Sequence, residues 1–407
     1  MINIALTNDY HYPLNCAQLS TDEKIMKSDS APKSTHKTKV VVIGAGKIGE
    51  TIVALLLESN DFHVTLLDSS EPSLAHFADH NDLTKRLVDV SDASALDVEL
   101  KHQFAVLSST PYFLTTKIAD AAFRAGCHYL DLTEDVASTA YVRALADKAQ
   151  TAFIPQCGLA PGFISIVTNQ LASTFDKLET IRMCVGALPQ FPSNSLNYNL
   201  TWSTDGVINE YCESCVAIVD GVVTTVPALE HLEHISLDGI QYEMFNTSGG
   251  IGSLGESLKG KVKNLAYKTI RYPGHRDIMK TLLHDLGLRD RRDLLKDVLE
   301  NAVPATMQDV VLIFVTVSGI KNGQLMQETY ANKVYGREVG GVLRSGIQIT
   351  TAGSICAVLD LLRLGAIKAR GFVTQEEIGL DTFLNNRFGQ VYKSSTTDQN
   401  AAHKNAA

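Results

Sequence analysis

The amino-acid sequence predicts an α/β chain: a doubly wound parallel sheet, joined to an α+β region whose sheet is mostly antiparallel. Three observations carry that prediction. Between Lys39 and Cys157 six short apolar runs alternate with segments of helical spacing, as strands and crossover helices do in a parallel sheet. The first run leads directly into Gly44-Ala45-Gly46-Lys47-Ile48-Gly49, three glycines at the spacing of a dinucleotide-binding turn. Past Phe175 the texture changes to β-like runs separated by Gly or Asn clusters.

In chain order, the strands expected in the first region are Val40–Ile43, Val64–Asp68, Leu87–Val90, Ala105–Ser108, His128–Leu132 and Phe153–Cys157. Helical spacing fills the gaps, as with Leu114, Ile118, Ala121 and Ala122. The second region offers Thr180–Ala187, Val222–Val226, Ile240–Phe245 and Val310–Gly319 as strands. An apolar helical pattern over Ile347–Leu364 is placed to return to the first sheet, with Gly365 ending it. The organisation expected is an extension over 1–38, a Rossmann domain over 39–160, a substrate and dimerisation domain over 161–340, a returning segment over 341–392, and a tail over 393–407. The polar, low-complexity character of both ends predicts disorder there.

Composition excludes several function classes. The chain has 407 residues, 45% of them hydrophobic and 20% charged, which is ordinary for a globular protein of two or three domains. A net charge of −9 gives no general attraction to nucleic acid or acidic membranes. No apolar run reaches the roughly 18–20 residues that span a bilayer. Seven scattered cysteines do not form a disulfide framework, so a reducing compartment, the cytoplasm, is expected.

The glycine turn is the first candidate site. Its glycines allow a tight turn, a close backbone approach to a pyrophosphate and close helix–strand packing, while the helix start offers free N–H groups to an anion. Gly44, Gly46, Lys47, Ile48 and Gly49 are therefore cofactor candidates. Asp68 follows Gly49 by the interval at which a carboxylate meets a ribose 2′-hydroxyl. A carboxylate there would repel a 2′-phosphate, so NAD is the cofactor expected, with Ser69 and Ser70 leaving NADP open. Ligands of such sheets bind beyond the carboxyl ends of the strands, which adds Asp89 and Val90 near an adenine, Ser109 and Thr110 on the rim, and Gly158 of the Cys157–Gly162 turn beside a nicotinamide. Ser91 or Asp92 could equally cap the following helix.

On the substrate side, the single tryptophan, Trp202, lies with Ser203 among polar residues. Asn246–Gly250 is a donor-rich loop in which Thr247 and Ser248 could hold a carboxylate or simply turn the chain. Lys268–His275 gathers Lys268, Arg271 and His275; an arginine can hold a carboxylate bidentately, and a histidine can move a proton near neutral pH. Two patterns are set aside as metal sites: Cys212-Glu213-Ser214-Cys215 lacks a second cysteine pair, and His231-Leu232-Glu233-His234 lacks a third ligand. No metal is expected.

Together the segments KVVVIGAGKIGE at Lys39–Glu50, CGLAPGF at Cys157–Phe163, TWSTDGVINEY at Thr201–Tyr211, the run Asn246–His275 ending in KTIRYPGH, and GFVTQEEIGLDTFLNNRFGQVY at Gly371–Tyr392 resemble the saccharopine dehydrogenase family, including its bacterial lysine 6-dehydrogenase-like branch. The resemblance implies a homodimer of small-molecule enzymes oxidising the C–N bond at a lysine ε-carbon with NAD(P). It implies the glutamate-forming saccharopine reaction first and free lysine as the rival. It also implies that Tyr112 is a substrate-side tyrosine, that Trp202 and Ser203 wall the pocket, and that Arg271 clamps a carboxylate. Ala160 stands where fungal-type saccharopine reductases carry an aspartate, which pulls the chain toward the lysine branch. The chemistry needs a deprotonated amine and hence a base, for which His275 comes first and Lys268 second. Outside this class stand a non-catalytic dinucleotide sensor or scaffold, and a polyamine or amino-aldehyde enzyme without net NAD turnover.

Overall fold

The computed structural model describes residues 37–393; the expectations for the tail beyond Lys393, and for all but the last two residues of the extension, lie outside them. Seven strands build the first sheet: β1 (Thr38–Ile43), β2 (Phe62–Asp68), β3 (Leu83–Leu87), β4 (Ala105–Ser108), β5 (His128–Asp131), β6 (Ala152–Ile154) and, from the far end of the chain, a short Gly371–Phe372. Their order is Gly371–Phe372, β6, β5, β4, β1, β2, β3, and every pairing is parallel. Parallel strands covered on both faces read as continuous apolar runs, and Val40, Val41, Val42 and Ile43 of β1 are all buried. The strand order reverses between β1 and β4, which opens a crevice at their carboxyl ends.

The third strand lies at Leu83–Leu87 rather than Leu87–Val90. It is the sheet edge, with one neighbour and half-exposed side chains, so its Leu-Thr-Lys-Arg-Leu carries little apolar signal. Val88 and Val90, which supplied the apparent strand, are buried in the connection beyond it.

The second sheet contains β7 (Lys177–Pro189), β8 (Cys215–Val219), β9 (Val222–Val226), β10 (Glu233–Leu237), β11 (Ile240–Asn246), β12 (Val262–Arg271), β13 (Asp309–Lys321) and β14 (Gln324–Tyr335). Its main order is β10-β11-β12-β7-β13-β14, with the β8–β9 hairpin attached to β12. All pairings are antiparallel except β12 with β7. The sheet curls strongly. Asp238 in the β10–β11 turn meets Lys333 of β14 at 2.6 Å, although four strand spacings, roughly 19 Å if flat, separate β11 from β14. One face is thereby rolled around Cys184, Met244, Ile270 and Leu312.

The other face joins the largest core, which continues into the helices Phe163–Ala172 and Gly346–Arg363 and the first sheet. Gly346–Arg363 is apolar on nearly every side and buried on nearly every side; it lies against the helix Lys47–Glu58 and against β13. Ser345 and Gln348 cap it reciprocally, and Gly365 ends it at φ +70°. No helix among the described residues is long and apolar enough to cross a membrane. The six cysteines among them are free and buried, and no group of His, Cys, Asp and Glu among them could hold a metal.

Candidate active site

The glycine turn separates into protein requirement and ligand space. Gly44 has φ +104°, and a Cβ there would lie 2.9 Å from Ser109 Oγ; a Cβ at Gly49 would lie 1.8 Å from the Gly44 carbonyl oxygen. Both glycines are demanded by the chain itself. A Cβ at Gly46 would meet nothing within 4 Å, and Gly46 starts the helix Lys47–Glu58 with no side chain capping its free N–H groups. An open, positively polarised helix start is what a pyrophosphate needs. Asp68 closes the other side: its carboxylate accepts from Ala45 N at 2.7 Å and from Ser70 N at 2.7 Å. The carboxylate is thus tied to the turn, with lone pairs to spare. These residues fit a dinucleotide.

Asp89 and Val90 fare differently. Val90 is packed in the core with Val88 and Leu96, so its side chain is not offered to an adenine. Asp89 accepts from Ser91 N at 2.8 Å in a local turn, and Asp92 caps the helix Ala93–Leu100.

A cavity of about 280 Å³ opens where the two sheets meet. From the first sheet it is lined by Ile48, Ser109, Thr110, Pro111, Tyr112 and the Gly158–Pro161 turn. Ser109 Oγ donates across the crevice to the Ile43 and Gly44 carbonyls at 3.0 and 3.1 Å. The second region contributes Trp202, Ser203, Glu210, Tyr267, Thr269 and Arg271, and Glu134 completes the wall. Gly162 has φ +136°, and a Cβ there would lie 2.0 Å from the Gly158 oxygen, so the tight turn is built on that pair.

Trp202 lies across Gly206, where a Cβ would come within 2.3 Å of its ring. Ser203 accepts from Gly206 N at 3.2 Å and so caps the helix Thr204–Cys212 as well as lining the cavity. Asp205 and Gly206 lie in the first turn of that helix, which carries Glu210 to the cavity.

Arg271 is buried and fixed by a chain of hydrogen bonds. Its Nε–H donates to Tyr211 Oη at 3.0 Å, and an N–H of its guanidinium donates to the Ile270 carbonyl at 2.9 Å. His275 Nδ1 lies 2.9 Å from the Leu196 carbonyl, so that nitrogen carries the proton. Its Nε2, 3.0 Å from Tyr211 Oη, then accepts from the tyrosine. Every donor in this series has one acceptor.

That series corrects the expectation for His275. The ring is buried outside the cavity lining, its acceptor is already used, and burial together with the Arg271 charge pushes its pKa down to about 3. A neutral, occupied imidazole is no base here; it positions Arg271 through Tyr211. Lys268 is corrected by strand parity. Tyr267, Thr269 and Arg271 face the cavity, so Lys268 points to the opposite face of β12, where its ammonium meets Glu233 at 2.7 Å and the His231 carbonyl. Thr247 and Ser248 lie one layer behind the cavity. Thr247 is buried with no hydrogen-bond partner for its hydroxyl among the described residues, and Ser248 N donates to the Glu210 carbonyl at 3.0 Å. Their loop is a bracket rather than a ligand.

The residue that sequence reasoning left without a role is Glu210. It is 6% exposed, no hydrogen bond to its carboxylate occurs among the described residues, and burial pushes its pKa up to about 8 against the pull of Arg271. Glu134 is also shifted upward, by burial first and then by the neighbouring Asp135 and Asp131. The legible signal was helical spacing: Gly206 and Glu210 are four apart, on one face.

Comparison with known proteins agrees with this architecture. Residues 40–154 match the saccharopine dehydrogenase NADP binding domain and residues 158–390 the saccharopine dehydrogenase C-terminal domain. The chain is 22% identical over 350 residues to a saccharopine dehydrogenase [NADP(+), L-glutamate-forming] of Pyricularia oryzae, covering 79% of this chain and 76% of that one. It is 25% identical over 200 residues to the Saccharomyces cerevisiae protein of the same name, covering 46% of this chain and 43% of that protein. It is 21% identical over 323 residues to a mitochondrial alpha-aminoadipic semialdehyde synthase of Bos taurus, covering 74% of this chain but 34% of that longer protein. In sequence, the matched stretches thus cover less than half the length of the bovine and yeast relatives. The apo structure of the yeast saccharopine dehydrogenase (L-Glu forming) superposes with a TM-score of 0.70 at 18% identity, over 83% of this chain and 94% of that one, and so shares the fold. With two family models matched end to end across both sheets, the chain belongs to the saccharopine dehydrogenase family of oxidoreductases.

Proposed function

We propose that the chain is a nicotinamide-dependent dehydrogenase that oxidises the C–N bond of a lysine-derived amine, with glutamate-forming oxidation of saccharopine as the reaction carried over from the resemblance. The observation that supports it most is the placement of Arg271 and Glu210 in one cavity with Thr110–Tyr112 and Gly158–Pro161, at the carboxyl ends of the parallel strands. Gly44–Gly49, Ser109 and Asp68 would hold the dinucleotide, and its nicotinamide would supply the hydride acceptor. Asp68 favours NAD by repelling a 2′-phosphate.

The chain's own residues do the rest. Arg271, held by Tyr211, takes a substrate carboxylate. Trp202 and Tyr112 narrow the cavity so that the reacting carbon stays placed and water is limited, which supplies rate through positioning. The amine must lose a proton before its lone pair can expel hydride. Glu210 is the cavity group whose pKa lies nearest to the working range. Oxidation yields an imine, and water releases the amine product.

Free lysine is the second reading, favoured by Ala160 and by Arg271 being the one cation among the described residues that line the cavity. A second cation for a polycarboxylate is not supplied by Arg344, which pairs with Glu50 at 2.9 Å, nor by Arg337; neither lines the cavity. The deciding experiment follows nicotinamide absorbance with NAD and NADP in parallel, offering saccharopine and lysine. Turnover of one, reduced about 10²–10⁴-fold by Glu210→Gln, supports the proposal; no turnover of either overturns it. The homodimer belongs to the same proposal and is checked by sedimentation.

A further inference from the structure

The proposed reaction has two halves that need separate proton acceptors. In the first, Glu210 takes the proton of the amine nitrogen before hydride departs. When the imine has formed, that carboxyl is protonated and can accept nothing more. The second half adds water to the imine carbon, and the water must lose a proton as the C–O bond forms. A second acceptor is required in the same cavity.

Among the described residues the cavity offers one free carboxylate besides Glu210. Its acids are Glu134, Asp205 and Glu210, and Asp205 is taken at the rim by Lys296 at 2.6 Å. Tyr267 keeps its proton, because burial raises its hydroxyl well above the ordinary phenol value. No ion pair and no hydrogen bond from another described residue occupies the Glu134 carboxylate. Burial shifts its pKa upward, the direction that makes a carboxylate a better proton acceptor. Its loop is pinned on both sides: Asp131 Oδ1 accepts from Thr133 N at 3.0 Å, and Thr133 Oγ1 accepts from Asp135 N at 3.2 Å. Gly249, at φ +86°, packs so closely that a Cβ there would lie 2.8 Å from Glu134 Cβ and 3.1 Å from its Cγ. Strand β5 lies between β4 and β6. Glu134, just past β5, therefore shares the carboxyl rim of the sheet with Thr110–Tyr112 and Gly158–Pro161, on the cofactor's side of the cavity. Glu210 enters from the second region, on the helix Thr204–Cys212.

We infer that Glu134 is a second catalytic carboxylate, which takes the proton of the water attacking the imine carbon while Glu210 serves the nitrogen. A water lone pair forms the C–O bond, the C=N π pair returns to nitrogen, and one water proton passes to Glu134. Glu210 then gives its proton back to nitrogen, and the C–N bond breaks with its pair leaving on the amine. The hydroxyl proton passes to the emptied Glu210 carboxylate as the carbonyl forms. Oxidation is complete before this half begins, so no further electron acceptor takes part. The inference rests on the dehydrogenase reading and holds for either amine offered to the cavity.

The test uses the full chain with NAD and whichever of saccharopine and lysine the parent oxidises, following NADH by stopped flow and quenching with borodeuteride. Glu134→Gln should form about one equivalent of NADH per site at a rate within about threefold of the parent, then turn over at least about 10²-fold more slowly. Quenched after that burst, it should return the starting amine labelled with deuterium, because the imine has accumulated with its C–N bond intact. Glu210→Gln should instead slow the burst itself. A missing burst in Glu134→Gln, steady turnover within about threefold of the parent, or deuterium recovered in the alcohol from a released aldehyde would overturn the role. If Glu134→Gln does not fold, Glu134→Asp, which keeps the charge on a shorter arm, carries the same comparison and the same outcomes. No NADH from the parent with either substrate sinks the dehydrogenase reading and this role together; NADH from the parent without the burst in the variant sinks the role alone.

Discussion

Gly46 and Gly49 look equivalent in the motif, yet they answer to different molecules. Gly49 is fixed by the Gly44 carbonyl 1.8 Å from where its Cβ would be, whereas Gly46 faces open space. Gly49→Ala should destabilise the fold by about 1–3 kcal/mol, as overpacking does, and lower the melting temperature. Gly46→Ala should melt within a degree or two of the parent and yet bind the dinucleotide at least tenfold more weakly by fluorescence titration. Equal melting losses would mean that the second glycine also serves the protein alone. The Tyr211 hydroxyl gives a second test at this scale, since it accepts from Arg271 and donates to His275. Tyr211→Phe leaves both partners buried and unsatisfied, at a cost of about 1–3 kcal/mol. KM should rise about tenfold for carboxylate-bearing substrates while kcat changes less. A loss confined to kcat would return His275 to the chemistry.

Strand β12 shows how an element sorts a motif. The octapeptide Lys268–His275 gathers three basic-type side chains in sequence, but a pleated strand sends neighbours to opposite faces. Arg271 goes to the cavity with Tyr267 and Thr269, and Lys268 goes to Glu233. His275 lies past the strand, at the start of the short helix His275–Lys280. Lys268→Met should therefore keep kcat/KM within about twofold, because Lys268 lies on the face away from the cavity and its partly exposed partner Glu233 keeps Arg182 at 3.4 Å as a second cation. A loss of two orders of magnitude in steady-state assays would restore Lys268 as an acid–base group. The helix Thr204–Cys212 sorts its residues the same way, sending Glu210 to the cavity and Tyr211 to the Arg271 support.

At the scale of the whole molecule, burial between the two sheets raises several carboxyl groups together. Glu210 is pushed up to about 8, and Asp131, buried under the crevice, to about 6. A carboxyl whose pKa is raised by folding binds its proton more tightly in the native state, so it stabilises at low pH and that contribution is lost as pH rises. For Glu210 the window runs from its ordinary 4.5 to about 8. Denaturant unfolding should show stability falling across that range, and Glu210→Gln should flatten the fall. A variant with an unchanged slope would place the titration elsewhere. In activity the sign reverses: the base must be ionised, so kcat/KM should climb with pH and level off above about 8.

The sequence by itself determined the parallel sheet, the glycine turn with its acid, the returning helix Gly346–Arg363 and the family, because buried strands and crossover helices carry apolar periodicity over short range. It underdetermined β3, β10 and β14, edge strands with polar side chains on an open side, and it did not reveal that β12 was a strand. Only the tertiary structure decided which polar residues share a cavity. Glu134 and Glu210 are 76 positions apart and line one cavity, whereas Lys268 and Arg271, close in sequence, are separated by the pleat. Local periodicity fixes each element because its causes are local; a site depends on long-range packing that brings faces of distant elements together, and no single segment encodes it.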